Sequence, residues 1–518
     1  MSEDGIIHGF QQRRQLEVDL RALGETANDA ELMTEAQKIA ANYPASLIQA
    51  GILHRLGVAN SQERGGLGHL SALLPEAAIS DALRAVAVNR QKSPQERSAA
   101  ALILERYLEE PLSPTLMADL AGNEDIPFQS LLEAVNEGHS NRHILLEYVT
   151  QMGEHGVDTA FMVLGLIDRL PPADQVELLR LIAQDMRPQV GKSAVDRLVE
   201  LAQGNEWQEA IRALHTLRFA LPPEPAQGVD RSLRKLQFAG RRYTPPPTDG
   251  WRALISPADA GGFASVWLVR DPEESKNIDA TMLGFVLSTH AGIVQFTGVE
   301  GVPPSHLPAQ QAVGSMVTVR TAGDQVMVLL NTDFEVGRWL VWQCVQAGWR
   351  RTPAPRHEEY ALYNDWVWQF QAPHLPDTLN ELWLRSADPA PVPDTAELAH
   401  LSELLLSHPA MDSWAAWARA VWVSVESPHR TPIDVSRTAL VGLLLKEIAR
   451  LPDKEELVLS MHAGLRVQSL WFAIAGDERN AERAATLAAA MLKIPLENQP
   501  FVATLLDNGL QTLREAQQ

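Results

Sequence analysis

The sequence predicts a multidomain, mainly α-helical protein: an N-terminal domain of α-solenoid-like helical repeats over residues 1–240, a central α+β module with an antiparallel sheet over 241–390, and a C-terminal helical region over 391–518. Three observations predict this. Apolar residues in the first 240 positions recur at helical spacing in short Ala- and Leu-rich segments. Between Trp251 and Trp383 the pattern changes to strand-like alternation. Of the 13 tryptophans, Trp207 alone precedes residue 250, so the large aromatic side chains concentrate in the later part of the chain.

At 518 residues the chain is too long for one core, and roughly 150 residues per domain suggests about three. Hydrophobic residues make up 45% and charged residues 21%, the balance of a folded protein rather than a disordered one. The formal net charge of −21 disfavours the broad positive surface that nucleic acid or an anionic membrane would require, so neither is expected as a partner. A single cysteine, Cys344, rules out an intramolecular disulfide and a cysteine-based zinc site. The start Met1-Ser2-Glu3-Asp4 is acidic where a signal peptide would be basic, and no apolar run approaches the roughly 18 residues needed to span a bilayer. A cytoplasmic location is therefore expected.

Over residues 31–221, helix follows helix, each ended by Pro, Gly or a polar turn. Ser93-Pro94-Gln95-Glu96 predicts a capping box: Ser93 accepts from the first-turn amides, Pro94 sits where its missing N–H costs nothing, and Glu96 reaches back. The helix then carries Arg97, Ala99, Ala100, Leu102, Ile103 and Leu104, with small residues placed where a neighbour can pack close. Similar punctuation at Ser113-Pro114, Pro171-Pro172-Ala173-Asp174 and Gly204-Asn205 spaces helical pairs by about 30–45 residues. With Pro94, Arg97 and the Ala99-Ala100 pair, residues 93–108 resemble a HEAT or armadillo-like repeat unit, and residues 207–217 are similar without the proline. The resemblance covers residues 70–220 and implies a superhelical scaffold with no catalytic residues to carry over; a compact helical bundle is the alternative. Gly65-Gly66-Leu67-Gly68 reads as a glycine-rich turn, but it fits neither dinucleotide nor P-loop spacing and follows no strand.

The prolines of Tyr243-Thr244-Pro245-Pro246-Pro247-Thr248-Asp249-Gly250 preclude a helix and predict a boundary. Residues 251–255 and 263–269 read as strands around a turn-rich loop, followed by strands at 282–288, 316–319 and 326–330, with Ala322-Gly323-Asp324 as a hairpin turn. Residues 291–296 are predicted to begin a short helix. Over 337–349 the spacing is helical, placing Trp339, Trp342 and Trp349 on one side of a helix that covers the sheet. From Asp394 onward the pattern is helical again.

No motif reaches the specificity of a reaction, so neither a cofactor nor a bound metal is expected and an enzyme is the less favoured class. Gly191-Lys192-Ser193 resembles the tail of a phosphate loop, yet Met186 stands where the first glycine belongs. His139, His143 and Glu147 have metal-ligand spacing on a continuous helix, but Gly138 and Ser140 read as a helix start that breaks it; His400 and Glu403 share the weakness. Cys344, among Trp342, Val345 and Ala347, is expected to be a buried, inert thiol. The one conjunction that points to a ligand is Arg338, Trp339, Trp349, Arg350, Arg351 and Arg356, followed by His357: arginines beside exposed tryptophans bind anionic or planar ligands by bidentate bonds and stacking. Against it, tryptophan is usually core and Arg350-Arg351 complement a helix carbonyl end. A third reading joins this cluster to the basic run Arg231, Arg234, Lys235, Arg241 and Arg242, both docking the module onto acidic helices of the same chain. Two functions follow: a scaffold or adaptor that binds a protein partner through stacked helices, which is favoured, and a small-molecule or anion-binding protein or enzyme with its site at the Arg/Trp cluster.

Overall fold

The computed structural model describes residues 3–516 except 27–28, 60, 122–124, 205–206, 273–278, 321–325, 352–356, 388–391 and 426–435. The chain forms two compact units, Met1–Ala194 and Val195–Gln518, divided within the helix Pro188–Gln203. Helices Trp207–Ala220 and Pro223–Phe238, which the sequence groups with the N-terminal helices, thus belong to the unit that holds the sheet.

Among the described residues the first unit is a series of helices from Glu3–Ala22 onward, and its substantial packings join helices no more than three places apart in the chain. Glu76–Val88 packs on Pro94–Arg106, Asp125–Gly138 on His143–Glu154, and His143–Glu154 on Pro172–Ile182. One apolar cluster extends from Leu16 to Leu116. The capping box forms as the sequence predicts: the Glu96 amide donates to Ser93 Oγ at 3.2 Å, and the Ser93 amide donates to the Glu96 carboxylate at 3.0 Å. Ala99 and Ala100 are buried, and Arg97, buried too, donates to the Ala87 carbonyl at 2.9 Å and pairs with Asp119.

Gly65-Gly66-Leu67-Gly68 is not a turn but part of the helix Ser61–Ala72. Close packing explains these glycines: a Cβ at Gly68 would stand 2.4 Å from the Tyr107 ring, and one at Gly66 2.9 Å from Leu23 and Leu32. Gly191-Lys192-Ser193 likewise lies in a helix, Pro188–Gln203. Gly138 ends the helix Asp125–Gly138 rather than starting one, so His139 sits in the turn before His143–Glu154.

In the second unit six strands, β1 Trp251–Ile255, β2 Ala264–Arg270, β3 Thr281–Ser288, β4 Gly292–Glu300, β5 Met316–Arg320 and β6 Val326–Thr332, form one antiparallel sheet in the order β4-β3-β2-β1-β6-β5. Residues 291–296, expected to start a helix, lie at and within β4 instead. Long-range pairing overrides the local pattern there: Phe296 stands opposite Phe285 of β3 with ring centroids 4.8 Å apart. The proposed hairpin turn at Ala322-Gly323-Asp324 lies outside the described residues.

Helix Phe334–Trp349 covers one face of the sheet with its small residues. A Cβ at Gly337 would be 2.6 Å from Ala253 Cβ and 2.8 Å from Leu268, and Gly348 meets Gly292, whose own Cβ would stand 2.9 Å from the Gly348 Cα. Of the predicted tryptophan stripe, Trp339 meets Trp383 edge to face at 4.8 Å, and Trp342 and Trp349 are partly buried. On the opposite face Leu254, Val269, Val317 and Leu329 form a smaller core, with Leu307 of the β4–β5 loop packed on it.

C-terminal helices close on the sheet through indole donors and glycine contacts. Trp471 and Trp414 donate to the carbonyls of Ile255 and Ala258 at 3.1 and 2.7 Å, and the Ala258 amide donates to Gln468 at 3.0 Å. In helix Lys454–Ile474, a Cβ at Gly464 would stand 2.6 Å from the Asp259 carbonyl. This helix is long and apolar enough to cross a membrane by length and composition, and 61% of its apolar window is buried within the fold. Burial against protein accounts for that composition.

The glycine contacts make opposite predictions for the same substitution. Gly68→Ala should destabilise by more than about 1 kcal/mol, because the Tyr107 ring must move. Gly228→Ala, in the interior of helix Pro223–Phe238 with nothing within 4 Å of its added Cβ, should stabilise by about 0.5–1 kcal/mol. Urea unfolding midpoints of the two variants, read by circular dichroism, decide both.

Candidate functional site

Sequence singles out the arginine and tryptophan cluster, and its first member anchors a buried junction. Arg338, one turn into helix Phe334–Trp349, is 0% exposed. Its Nε donates to the Val367 carbonyl at 2.7 Å, Nη2 to the Gln371 carbonyl at 2.8 Å, and Nη1 to both Glu335 oxygens at 2.7 and 2.9 Å. Around it, the rings of Phe334, Trp368 and Phe370 lie with centroids 5.2–5.8 Å from the guanidinium carbon. Burial pulls its pKa below the ordinary arginine value, and Glu335 partly offsets that effect.

The same helix end draws two further donors. His215, on helix Trp207–Ala220, donates from Nε2 to the Phe370 carbonyl at 2.7 Å, and the Tyr243 hydroxyl donates to the Gln369 carbonyl at 2.7 Å. A helix C-terminus leaves carbonyls without intrahelical partners, and here side chains from three segments satisfy those of Val367, near the end of helix Glu358–Trp368, and of Gln369, Phe370 and Gln371 just beyond it. The triproline segment is thereby tied down at Tyr243, within the second unit.

The remaining members of the cluster disperse. Trp339 is buried against Trp383. Trp349 is partly buried, with its indole nitrogen shielded and unpaired, and Arg350 is exposed. Arg351 pairs with Glu456 of helix Lys454–Ile474 at 3.0 Å, and His290, in the β3–β4 turn, meets the other oxygen of Glu456 at 2.8 Å. These two contacts hold the Glu456 carboxyl below its usual range, the His290 bond contributing most. Arg356 lies outside the described residues. From the basic run, Arg241 lies over the Trp207 ring at 5.2 Å.

Other chemistry-bearing groups are structural by their surroundings. Cys344 is buried at 1% exposure, which raises its thiol pKa well above the ordinary value and disfavours a thiolate. His139 meets Asp174 at 2.8 Å in its turn, while His143 and Glu147 lie exposed on the next helix. His400 and Glu403 lie exposed on helix Thr395–Leu406. Among the described residues no group of three His, Cys, Asp or Glu side chains is placed to hold a metal ion.

A cleft of about 640 Å³ opens beside β5, where no sequence motif points. Its walls are the loop residues Ser305, His306, Leu307, Pro308, Ala309 and Gln311, together with the whole of β5. Two buried side chains hold the loop: Arg252 donates to the Pro308 carbonyl at 2.6 Å while pairing with Asp271, and Asn331 donates to the Gln311 carbonyl. The signal that could have found the cleft is topological, since β5 is an edge strand only once the strand order is known.

Two predictions follow from these buried groups. Arg338→Met should cost about 3–5 kcal/mol, because it strands Glu335 and two carbonyls in a buried site; a loss below 1 kcal/mol in urea unfolding would refute the anchoring role. His215 at the junction and His462, which lies outside it on helix Lys454–Ile474 and donates to the Ala488 carbonyl at 2.8 Å, have pKa values lowered from 6.5 to about 4, chiefly by burial. Both are neutral when folded and take up protons on unfolding, so stability is complete above about pH 6.5 and falls as pH drops toward 4, by at most about 3 kcal/mol each. Replacing both by glutamine should flatten the unfolding midpoint between pH 7 and 4.5; an unchanged slope would sink that assignment.

No protein-family model matches the chain, and comparison with curated proteins and with solved structures finds no match either.

Proposed function

We propose that the protein is a non-enzymatic scaffold or adaptor whose N-terminal helices, stacked as HEAT or armadillo-like repeats, bind a partner protein. The observation that carries this reading is near-neighbour packing in the first unit, where each helix relies on those adjacent in sequence. Such stacking buries one side of each helical pair and leaves an extended outer surface for recognition. Helix Val157–Ile167 supplies an apolar part of that surface: Phe161 and Met162 are 41% and 43% exposed, while Val163, Leu164, Leu166 and Ile167 are buried. Adjacent exposed aromatic and methionine side chains are characteristic of protein-binding surfaces. A ligand-binding reading would rest on Trp349, Arg350 and Arg351, because Arg338 and Trp339 are enclosed.

The test is affinity capture from an extract of the native host with the wild-type chain and with a Phe161→Glu/Met162→Glu variant, quantified by mass spectrometry. Both positions are solvent-facing, so the variant's melting temperature should match that of the wild type. A partner retained by the wild type and depleted at least about tenfold by the variant is the expected result. Equal recovery of every captured protein would exclude this face.

A further inference from the structure

Helix Pro223–Phe238 has one side in the core and one in water. Val229 and Leu236, two turns apart, are buried and anchor the inner side within the second unit. Arg231, Arg234, Lys235 and Phe238 recur at three- and four-residue spacing on the opposite side, and all four are exposed. The positive part is the C-terminal half of that stripe, since Gln227 and Glu224 continue it toward the helix start. Arg241 and Arg242 follow directly beyond the helix. Residues 231–242 thus carry five cations, and no Asp or Glu occurs from Arg231 until Asp249.

These charges are not consumed internally. Among the described residues none of the five forms an ion pair: Arg231 donates from Nε to the Gln227 carbonyl of its own helix at 3.4 Å, and Arg241 lies over the Trp207 ring. The acid next to the stripe in the chain, Asp230, is already paired with Arg218 at 3.0 Å. Cations at a helix C-terminus complement its carbonyl dipole, which gives Arg234 and Lys235 a structural role. Phe238 gains nothing from the dipole. It is 92% exposed, and no other large hydrophobic side chain among the described residues exceeds 66%. An aromatic ring held in water beside cations is a cost that contact with a partner removes.

We propose that this stripe docks a partner protein through an apolar side chain set among carboxylates, with Phe238 as the hydrophobic contact and Arg231, Arg234, Lys235 and Arg242 as the acid-binding groups. Arginine supplies four of the five cations. Its planar fork binds carboxylates bidentately, and arginine and aromatic residues are enriched at protein interfaces where lysine is depleted. Magnitudes favour a discrete acidic patch over an extended polyanion. From Arg231 to Phe238 the helix rises about 10 Å, roughly one Debye length at physiological salt. A patch of that size meets only the stripe. An anionic bilayer or a nucleic acid also faces the neighbouring surface, in a chain that carries −26 outside these five residues against −21 in total. A bilayer would in addition receive one ring alone, because Val229 and Leu236 are committed to the fold. This inference concerns the second unit and does not depend on the Phe161-Met162 face.

The experiment uses the full-length protein and two peptides carrying a neutral fluorophore, with fluorescence anisotropy as the readout. In the first peptide leucines are flanked by glutamates; in the second, serine replaces every leucine. The leucine peptide should bind saturably and about tenfold more tightly than the serine peptide. Phe238→Ser should erase that difference while leaving the affinity for the serine peptide unchanged. Arg234→Glu/Lys235→Glu should weaken both peptides by at least about tenfold, as should raised salt. All three positions are exposed, so the circular dichroism of both variants should match the wild type. Equal affinity for the two peptides, wild-type affinity in either variant, or no binding at millimolar peptide would each overturn the proposal. So would tighter binding of a DNA duplex, or of vesicles of equimolar phosphatidylcholine and phosphatidylserine, than of the leucine peptide, since that would assign the stripe to a polyanion. A concentration-dependent dimer in sedimentation that Arg234→Glu/Lys235→Glu abolishes would overturn it in favour of a second copy. If the charge-reversed variant fails to fold, Phe238→Ser with the two peptides still decides.

Discussion

The second unit depends on one buried guanidinium. Arg338 comes from the helix that covers the sheet, yet it bonds the far end of helix Glu358–Trp368, so two helices meet at a single side chain. A buried cation is costly to desolvate, and here Glu335, two carbonyls and three aromatic faces offset that cost together. Removing any one member leaves the others shielded from water and incompletely bonded. His215 and Tyr243 extend the arrangement to the preceding helix and to the triproline segment, so donors from three places in the chain converge on four carbonyls within residues 367–371. The sheet enters through Trp251, stacked on Phe334 at 4.9 Å.

Close approach of backbones is the second constraint. Gly337 and Gly348 let a helix lie directly on the sheet, Gly464 lets helix Lys454–Ile474 lie on the β1–β2 loop, and Gly66 and Gly68 do the same between helices of the first unit. At Gly337, Gly464, Gly66 and Gly68 the place of the missing Cβ is taken by a neighbour's atoms, so the conformational cost of glycine in a helix is offset by packing. The tryptophans then fill the volume beside these contacts. Trp368, Trp414 and Trp471 are fully buried, and their indole N–H groups donate to Tyr360 and to the carbonyls of Ala258 and Ile255. The uneven distribution of tryptophan along the chain thus coincides with the unit that contains the sheet.

The candidate sites differ in kind from this framework. The junction uses its polar groups internally, whereas the β5 cleft and the Phe161-Met162 face present groups outward. Exposed strand edges and apolar helix faces are both surfaces that folded proteins usually limit.

Local chemistry was enough to place most elements from sequence alone: the Ser93–Glu96 capping box, the helical punctuation, the strands of the central sheet except β4, the covering helix and the Asp394 start of the C-terminal helices all depend on residues near one another in the chain. Tertiary structure decided the rest, because the deciding atoms come from far away. Residues 291–296 became strand through pairing with β3, and Gly65 to Gly68 became helix because Tyr107, Leu23 and Leu32 occupy the space beside them. Arg338 and Trp339 looked like a ligand pair because sequence adjacency suggests a shared surface. Their burial depends on Val367 and Gln371 for one and Trp383 for the other, 29 and 33 residues downstream of Arg338 in the first case. The β5 cleft had no motif at all, since an edge is a property of strand order, and strand order is set by which β-strands find each other in the folded sheet.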